Sequence, residues 1–246
     1  MNYFFNMRSS SFIWIAYLIV ALEFLAVSVV KGQISYGNPE ISTLQYEDPK
    51  ASIDLSGFDP YYVEIGKHRF KPTRTNLYRH KDLGRIEYAV VFPESCEYDF
   101  EGDLDQWDWN KGAGLSQDWK RNDKDAIMWA WRYNVDSSRF ELTSYVHRKY
   151  KRFIGRGLSD EIMLIANTGD LVTIEFQRYD DKKWGIIFTN HSQQFTNQIE
   201  VNLRKNPRYS RSIAPWFGGA NNSDGPFGGV APHDMILLIK TIHENF

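Results

Sequence analysis

Past His68 the chain becomes a series of short runs in which apolar and polar residues alternate, with the period of a strand rather than of a helix. In IMWAWRY the bulky Ile127, Trp129, Trp131 and Tyr133 take the odd positions, and Met128, Ala130 and Arg132 the even ones. Phe140, Leu142, Ser144 and Val146 alternate in the same way with Glu141, Thr143, Tyr145 and His147. Val172, Ile174 and Phe176 alternate with Thr173, Glu175 and Gln177. Further strands are predicted over Glu87 to Phe92, Lys183 to Phe188 and Gln198 to Leu203. The closing run DMILLIKTI is apolar on both faces over Met235 to Ile239, as an interior strand is. Turn formers separate these runs: VDSS from 135, ANTGD from 166, and YDDKK from 179, the last placed as a hairpin. No helical period over twelve residues and no repeat follow the apolar N-terminal stretch. The pattern predicts an all-β fold, an antiparallel two-sheet sandwich of jelly-roll (concanavalin-like) type, with the tryptophan face of IMWAWRY buried between the sheets.

The N-terminal stretch has a different character. Phe12 to Val30 is nineteen residues with Glu23 as its only charge, and a short segment with one arginine precedes it. Two readings follow: a signal peptide cleaved near Gly32, with Phe12 to Leu22 as its core, or a leader helix kept as a membrane anchor through residues 12–30. Glu23 weighs against the anchor, since a central carboxylate costs about 2–3 kcal/mol on insertion. Either reading exports Gln33 to Phe246, to the periplasm, the cell surface or the medium. No cysteine stands where a lipid anchor would need one. Residues 1–32 are therefore expected to be the leader, 33–66 an extended arm or linker with one or two edge strands, and 67–246 the sandwich.

Composition narrows the function classes. The 246 residues carry a formal charge of −2, which gives no general attraction to nucleic acid. Aromatics make up 15% of the chain, enough for a sandwich core with some left for ligand contacts. Cys96 is the only cysteine, so neither an internal disulfide nor a cysteine zinc site can form. It stands between Glu94 and Glu97, whose charges raise a thiol pKa, so it is not read as a nucleophile. Asn190 and Asn221 each begin an Asn-x-Ser triplet, which matters only in a host that glycosylates such sites.

Three constellations are candidates for chemistry. The acidic run YDFEGDLDQWDWN offers Asp99, Glu101, Asp103 and Asp105 at the close spacing that calcium favours. Gly102 is not where an EF-hand turn needs its glycine, so a solvated acidic loop is the plainer reading. The segment PWFGGANNSDGPFGGVAPHD sets Trp216, Phe217 and Phe227 beside Asn221, Asn222 and Asp224, and ends at His233. Aromatic faces with amides are the equipment for a sugar ring, and Trp107 and Trp109 of DQWDWN would add to that surface. A structural corner is the competing reading for both segments, with Gly112 and Gly114 allowing a sharp exit. Third, Tyr145 and His147 share one face of a predicted strand, and with Arg132 or Arg148 they would suit proton abstraction beside a uronate carboxylate. The Walker loop, GxGxxG, His-Glu-x-x-His and GxSxG patterns are all missing from the sequence.

Three segments act together: DWNKGAGLS at 108–116, MWAWRYN at 128–134, and PWFGG with APHD over 215–234. They resemble a family of uncharacterised bacterial exported β-sandwich proteins, over roughly residues 92–242. The chain departs from that pattern by inserting NNSDGPFGG before Ala231 and by Ala130 where the pattern has glycine. The resemblance implies the sandwich and export and brings no activity. The leading expectation is thus an exported or anchored module that binds a glycan or a surface protein without catalysis. The alternatives are a polysaccharide lyase for uronate-containing glycans and a structural subunit of a membrane-associated complex. Calcium is the only cofactor the sequence raises.

Overall fold

A computed structural model describes residues 53–73, 75–79, 82–118, 124–156, 161–203, 209–218 and 229–245. The expected leader at 1–32 and most of the expected arm lie outside the described residues. In chain order the strands are β1 (Asp59–Val63), β2 (Leu77–Arg79), β3 (Leu83–Val91), β4 (Asn110–Ser116), β5 (Asp125–Asn134), β6 (Arg139–Arg148) and β7 (Lys151–Ile154). They continue with β8 (Leu164–Ala166), β9 (Leu171–Arg178), β10 (Lys183–Asn190), β11 (Phe195–Asn202), β12 (Tyr209–Ile213) and β13 (Met235–Asn245). Among the described residues no helix is long and apolar enough to cross a membrane.

The strands form two antiparallel sheets stacked as a sandwich. The first runs β1-β13-β3-β9-β10-β11, and the second β2-β12-β4-β5-β6-β7 with β8 paired to β6. Ile127, Trp129, Trp131 and Tyr133 all lie in the core between them, as the alternation predicts. They meet Val172, Ile174 and Phe176 of β9 and Met235, Leu237 and Ile239 of β13 in the same buried cluster. Strand β13 is interior, flanked by β1 and β3, which explains a run apolar on both sides. The YDDKK hairpin joins β9 to β10, and the Asp180 carboxylate closes it by accepting from the N–H groups of Lys182 and Lys183, each at 2.7 Å.

Asp59–Val63 is an edge strand of the kind expected within 33–66, and it pairs with β13 along its whole length. Two other expectations need correction. Gly112 and Gly114 do not make a corner; they lie inside β4, at a bulge between Lys111 and Gly114. A Cβ on Gly112 would overlap the Trp129 indole, so the close approach of β4 to β5 demands the glycine. The Cys96 thiol is pushed up chiefly by burial and only secondarily by Glu97; it donates to Ile236 O at 3.0 Å.

The segment Arg69–Lys71 ties the two sheets together at one edge. Lys71 forms an antiparallel bridge with Tyr62 of β1, and Arg69 one with Trp216, which itself bridges Lys111 of β4. Phe70 between them points inward and is fully buried.

Candidate functional site

The outer face of the second sheet is floored by small or slender side chains. Ala126, Met128 and Ala130 of β5 form a buried cluster there with Tyr145, Ile154, Ile213 and Trp109. Over this floor three strands bring polar groups together. Tyr145 and His147 come from β6, as the alternation predicts, with rings stacked 5.3 Å apart. Arg152 arrives on β7, directly across from His147. Lys111 comes from β4, across from Ala130, with its Nζ 5.7 Å from the Tyr145 ring and donating to Gly218 O at 2.9 Å.

Burial shifts the two central groups so that each favours its neutral form. Desolvation lowers the Lys111 pKa to about 8; Asp108 opposes the shift and Arg152 adds to it. Desolvation raises the Tyr145 hydroxyl above its usual value, while a hydrogen bond and the positive charge from Arg152 pull the other way. The outcome is an amine able to be neutral near pH 8 beside a phenol that stays protonated. Environments of this kind assign a base and an acid.

The arginines expected beside this face do other work. Arg132 Nε donates to Glu141 at 2.7 Å and Nη1 to Trp107 O at 2.9 Å, and its guanidinium stands 4.3 Å from the Trp109 ring centroid. It is buried and held on three sides, so it pins the Trp107–Trp109 turn to the sheet. Arg148 has the opposite parity from Tyr145 and His147 and lies over Phe153, at 4.8 Å. Arg152 takes the position that Arg132 and Arg148 were expected to fill.

The aromatic surface expected for sugar is smaller than the sequence implies. Phe217 is fully buried against Tyr98, Phe100 and Trp131, so it is a core residue and no ligand contact. Trp109 is buried beneath Arg132, whereas Trp107 remains 39% exposed. Trp216 is half-buried, stacked on His68 at 5.1 Å. Asn221, Asn222, Asp224 and Phe227 lie outside the described residues. His233 Nε2 donates to Ser95 O at 3.1 Å, which ties it to the turn before Cys96 rather than to the face bearing Tyr145.

The acidic run is organised by backbone contacts. Asp99 accepts from Glu101 N at 2.7 Å, Asp103 from Asp105 N at 2.9 Å, and the buried Asp105 from Gly229 N at 2.9 Å. Glu101 is exposed, with a φ of 53°. Among the described residues no three His, Cys, Asp or Glu side chains converge as metal ligands would.

Sequence reasoning missed Lys111 and Arg152 as site residues. The β6–β7 turn is Lys149–Tyr150, with φ values of 52° and 67°. Such a turn is normally marked by Asn-Gly or Asp-Gly, and neither residue here advertises it. Lys111 stands in a segment that reads as a glycine corner, and only its pairing with Ala130 places it beside Tyr145.

No family model and no curated protein matches the chain. Solved structures of related architecture do. The PL-14 alginate lyase from Aplysia kurodai has a TM-score of 0.45 at 13% identity, covering 76% of this chain and 81% of that one. The alginate lyase Aly36B has a TM-score of 0.48 at 11% identity, covering 80% of this chain and 83% of that one. SCP-B, a member of the eqolisin family of peptidases, has a TM-score of 0.42 at 8% identity, covering 77% of this chain and 83% of that one. Unlike chemistries occur within this architecture, and likeness at these values selects none of them.

Proposed function

We propose that the chain is a polysaccharide lyase acting on uronate-containing glycans, and that its reaction centre is the Lys111–Tyr145–His147–Arg152 face. The observation that carries this reading is the partly buried Lys111 with its pKa lowered to about 8 by desolvation, held beside the still-protonated Tyr145. Such a pair suits β-elimination. Neutral Lys111 takes the proton on the carbon next to the uronate carboxylate. The electron pair left behind forms the C4=C5 double bond as the C4–O bond breaks. The departing oxygen takes the Tyr145 proton, and the protonated Lys111 and solvent restore the phenol. In this reading Arg152 and His147 bind the carboxylate, whose charge grows as the proton leaves. An exported chain, as the leader implies, would meet such polymers outside the cell.

The product carries a conjugated double bond that absorbs in the ultraviolet, which makes the test direct. The purified chain incubated with uronate polymers should give a rising absorbance. Lys111→Ala and Tyr145→Phe should each lower the rate by about 10²–10⁴-fold while the protein remains folded. A flat trace across mannuronate, guluronate, galacturonate and glucuronate polymers would remove the reading and return the non-catalytic glycan module to first place.

A further inference from the structure

A cavity of about 370 Å³ opens along the segment from Gly66 to Lys71, walled by Trp216 and Tyr62 and lined by Lys67, Arg69 and Lys71. Its size is at the lower end for small-molecule sites, suited to a single ring rather than a long oligomer. Three features distinguish it from a casual surface dent. First, its charge is one-sided: three cationic side chains face one carboxylate, Glu64, which pairs with Lys71 at 3.4 Å. Lys67 and Arg69 have no ion-pair partner among the described residues. Second, its aromatic wall is braced. His68 stacks on Trp216 with an interplanar angle of 8° and its Nδ1 donates to Phe217 O at 2.9 Å, while the Arg69 guanidinium lies 5.6 Å from the Trp216 ring. Third, the backbone that carries the cations is tied at both ends, by Gly66 N to Ala231 O at 2.8 Å, Ala231 N to Lys67 O at 2.9 Å, and Phe217 N to His68 O at 2.7 Å.

Strand pairing places this cavity relative to Lys111. Lys111 and Trp216 exchange both backbone hydrogen bonds, each 2.8 Å, and Trp216 bridges in turn to Arg69. Residues paired across antiparallel strands project from the same face. Lys111, Trp216 and Arg69 therefore form one row on the outer face, with Arg69 ~10 Å from Lys111 at the usual strand spacing.

The geometry points to this cavity as a second acidic-sugar site, which receives a uronate unit further along the same polymer from the one held at Lys111 and Tyr145. The apolar face of the sugar packs against Trp216, and Arg69 and Lys67 take its carboxylate. The assignment rests on the lyase reading for the direction of the chain, but the site binds an acidic sugar whether or not cleavage follows.

The test measures binding and cleavage separately. Calorimetric titration with uronate pentasaccharides, and with the same oligomers after reduction of their carboxyl groups, is run on the full chain and on Arg69→Gln and Trp216→Ala. Each substitution should weaken binding of the acidic oligomer about tenfold or more, and the reduced oligomer should bind poorly to every form. On the polymer, both substitutions should raise KM more than they lower kcat. Loss of binding in the variants with no cleavage by the unmodified chain would keep the cavity and discard the lyase reading. Intact binding in both variants, with cleavage retained, would discard the cavity and keep the lyase reading. Equal affinity for acidic and reduced oligomers would overturn the role of Arg69 and Lys67. Arg69 is exposed, so its substitution keeps the test decisive even if Trp216→Ala proves to be misfolded.

Discussion

Strand β5 turns its odd-numbered side chains toward the other sheet and its even-numbered ones outward, and the two sets differ in size as much as in direction. Ile127, Trp129 and Trp131 are wholly excluded from solvent and fill the space between the sheets. Ala126, Met128 and Ala130, on the other side, form only a low floor. The bulk that joins the sheets is thus confined to one face, which leaves the other free to hold groups supplied by β4, β6 and β7. The low floor lets Lys111 and Tyr145 sink into an apolar setting, and that burial moves both pKa values. One strand therefore serves stability on one side and, in the proposed lyase, carries the floor of the reaction centre on the other, a division made by side-chain size.

The contrast can be broken most severely from the inner face. Trp131→Ala should cost about 3–5 kcal/mol of stability in denaturant unfolding, through lost burial and the cavity left behind. A loss below about 1 kcal/mol would mean that this face does not hold the sheets together. Arg132 tests the boundary between the two roles. Arg132→Met takes the cation from the buried Glu141, which keeps the hydrogen bond from Asn134 at 2.7 Å, and should cost about 3 kcal/mol; adding Glu141→Leu should recover most of it. If Arg132→Met abolished cleavage at unchanged stability, Arg132 would be a substrate ligand and its place as a structural pin would be lost.

Changes in pH sharpen the picture of the outer face. If neutral Lys111 is the base, kcat/KM should rise about tenfold per pH unit up to a plateau above about pH 8, with no fall before Tyr145 ionises above its ordinary value. The same shift has a consequence for stability. The folded pKa, about 8, lies below the free value of 10.5, so between these two values the unfolded chain binds the additional proton. Stability contributed by this group should therefore rise with pH through that window, and Lys111→Met should abolish the rise. A rate profile with no inflection near pH 8 would remove Lys111 as the base. The smallest effect belongs to Trp107→Ala: the ring is exposed and its centroid lies 5.5 Å from Arg132, so the loss should stay under about 1 kcal/mol by the same unfolding assay.

Much of the architecture is legible in the sequence because strand alternation is a local property. The period of two in 127–133, 140–147 and 172–177 names the side chains that face the other sheet, and the YDDKK turn declares its own hairpin. The short strands β2, β7, β8 and β12 escape that reading, since three to five residues are too few to show a period. The candidate site was half legible. Tyr145 and His147 follow from parity, but the cation expected beside them was assigned to Arg132 and Arg148.

By itself the sequence determined the class of fold, the tryptophan face that is buried, and the tyrosine and histidine that share the opposite face of the second sheet. Only the tertiary structure decided that Lys111 and Arg152 join them, that Phe217 is core, and that the Arg69–Lys71 segment reaches Trp216. The physical reason is one of range. Alternation is encoded residue by residue, whereas register across strands depends on a bulge in β4 and on a positive-φ turn at Lys149–Tyr150, and neither the composition nor the spacing of the chain marks them.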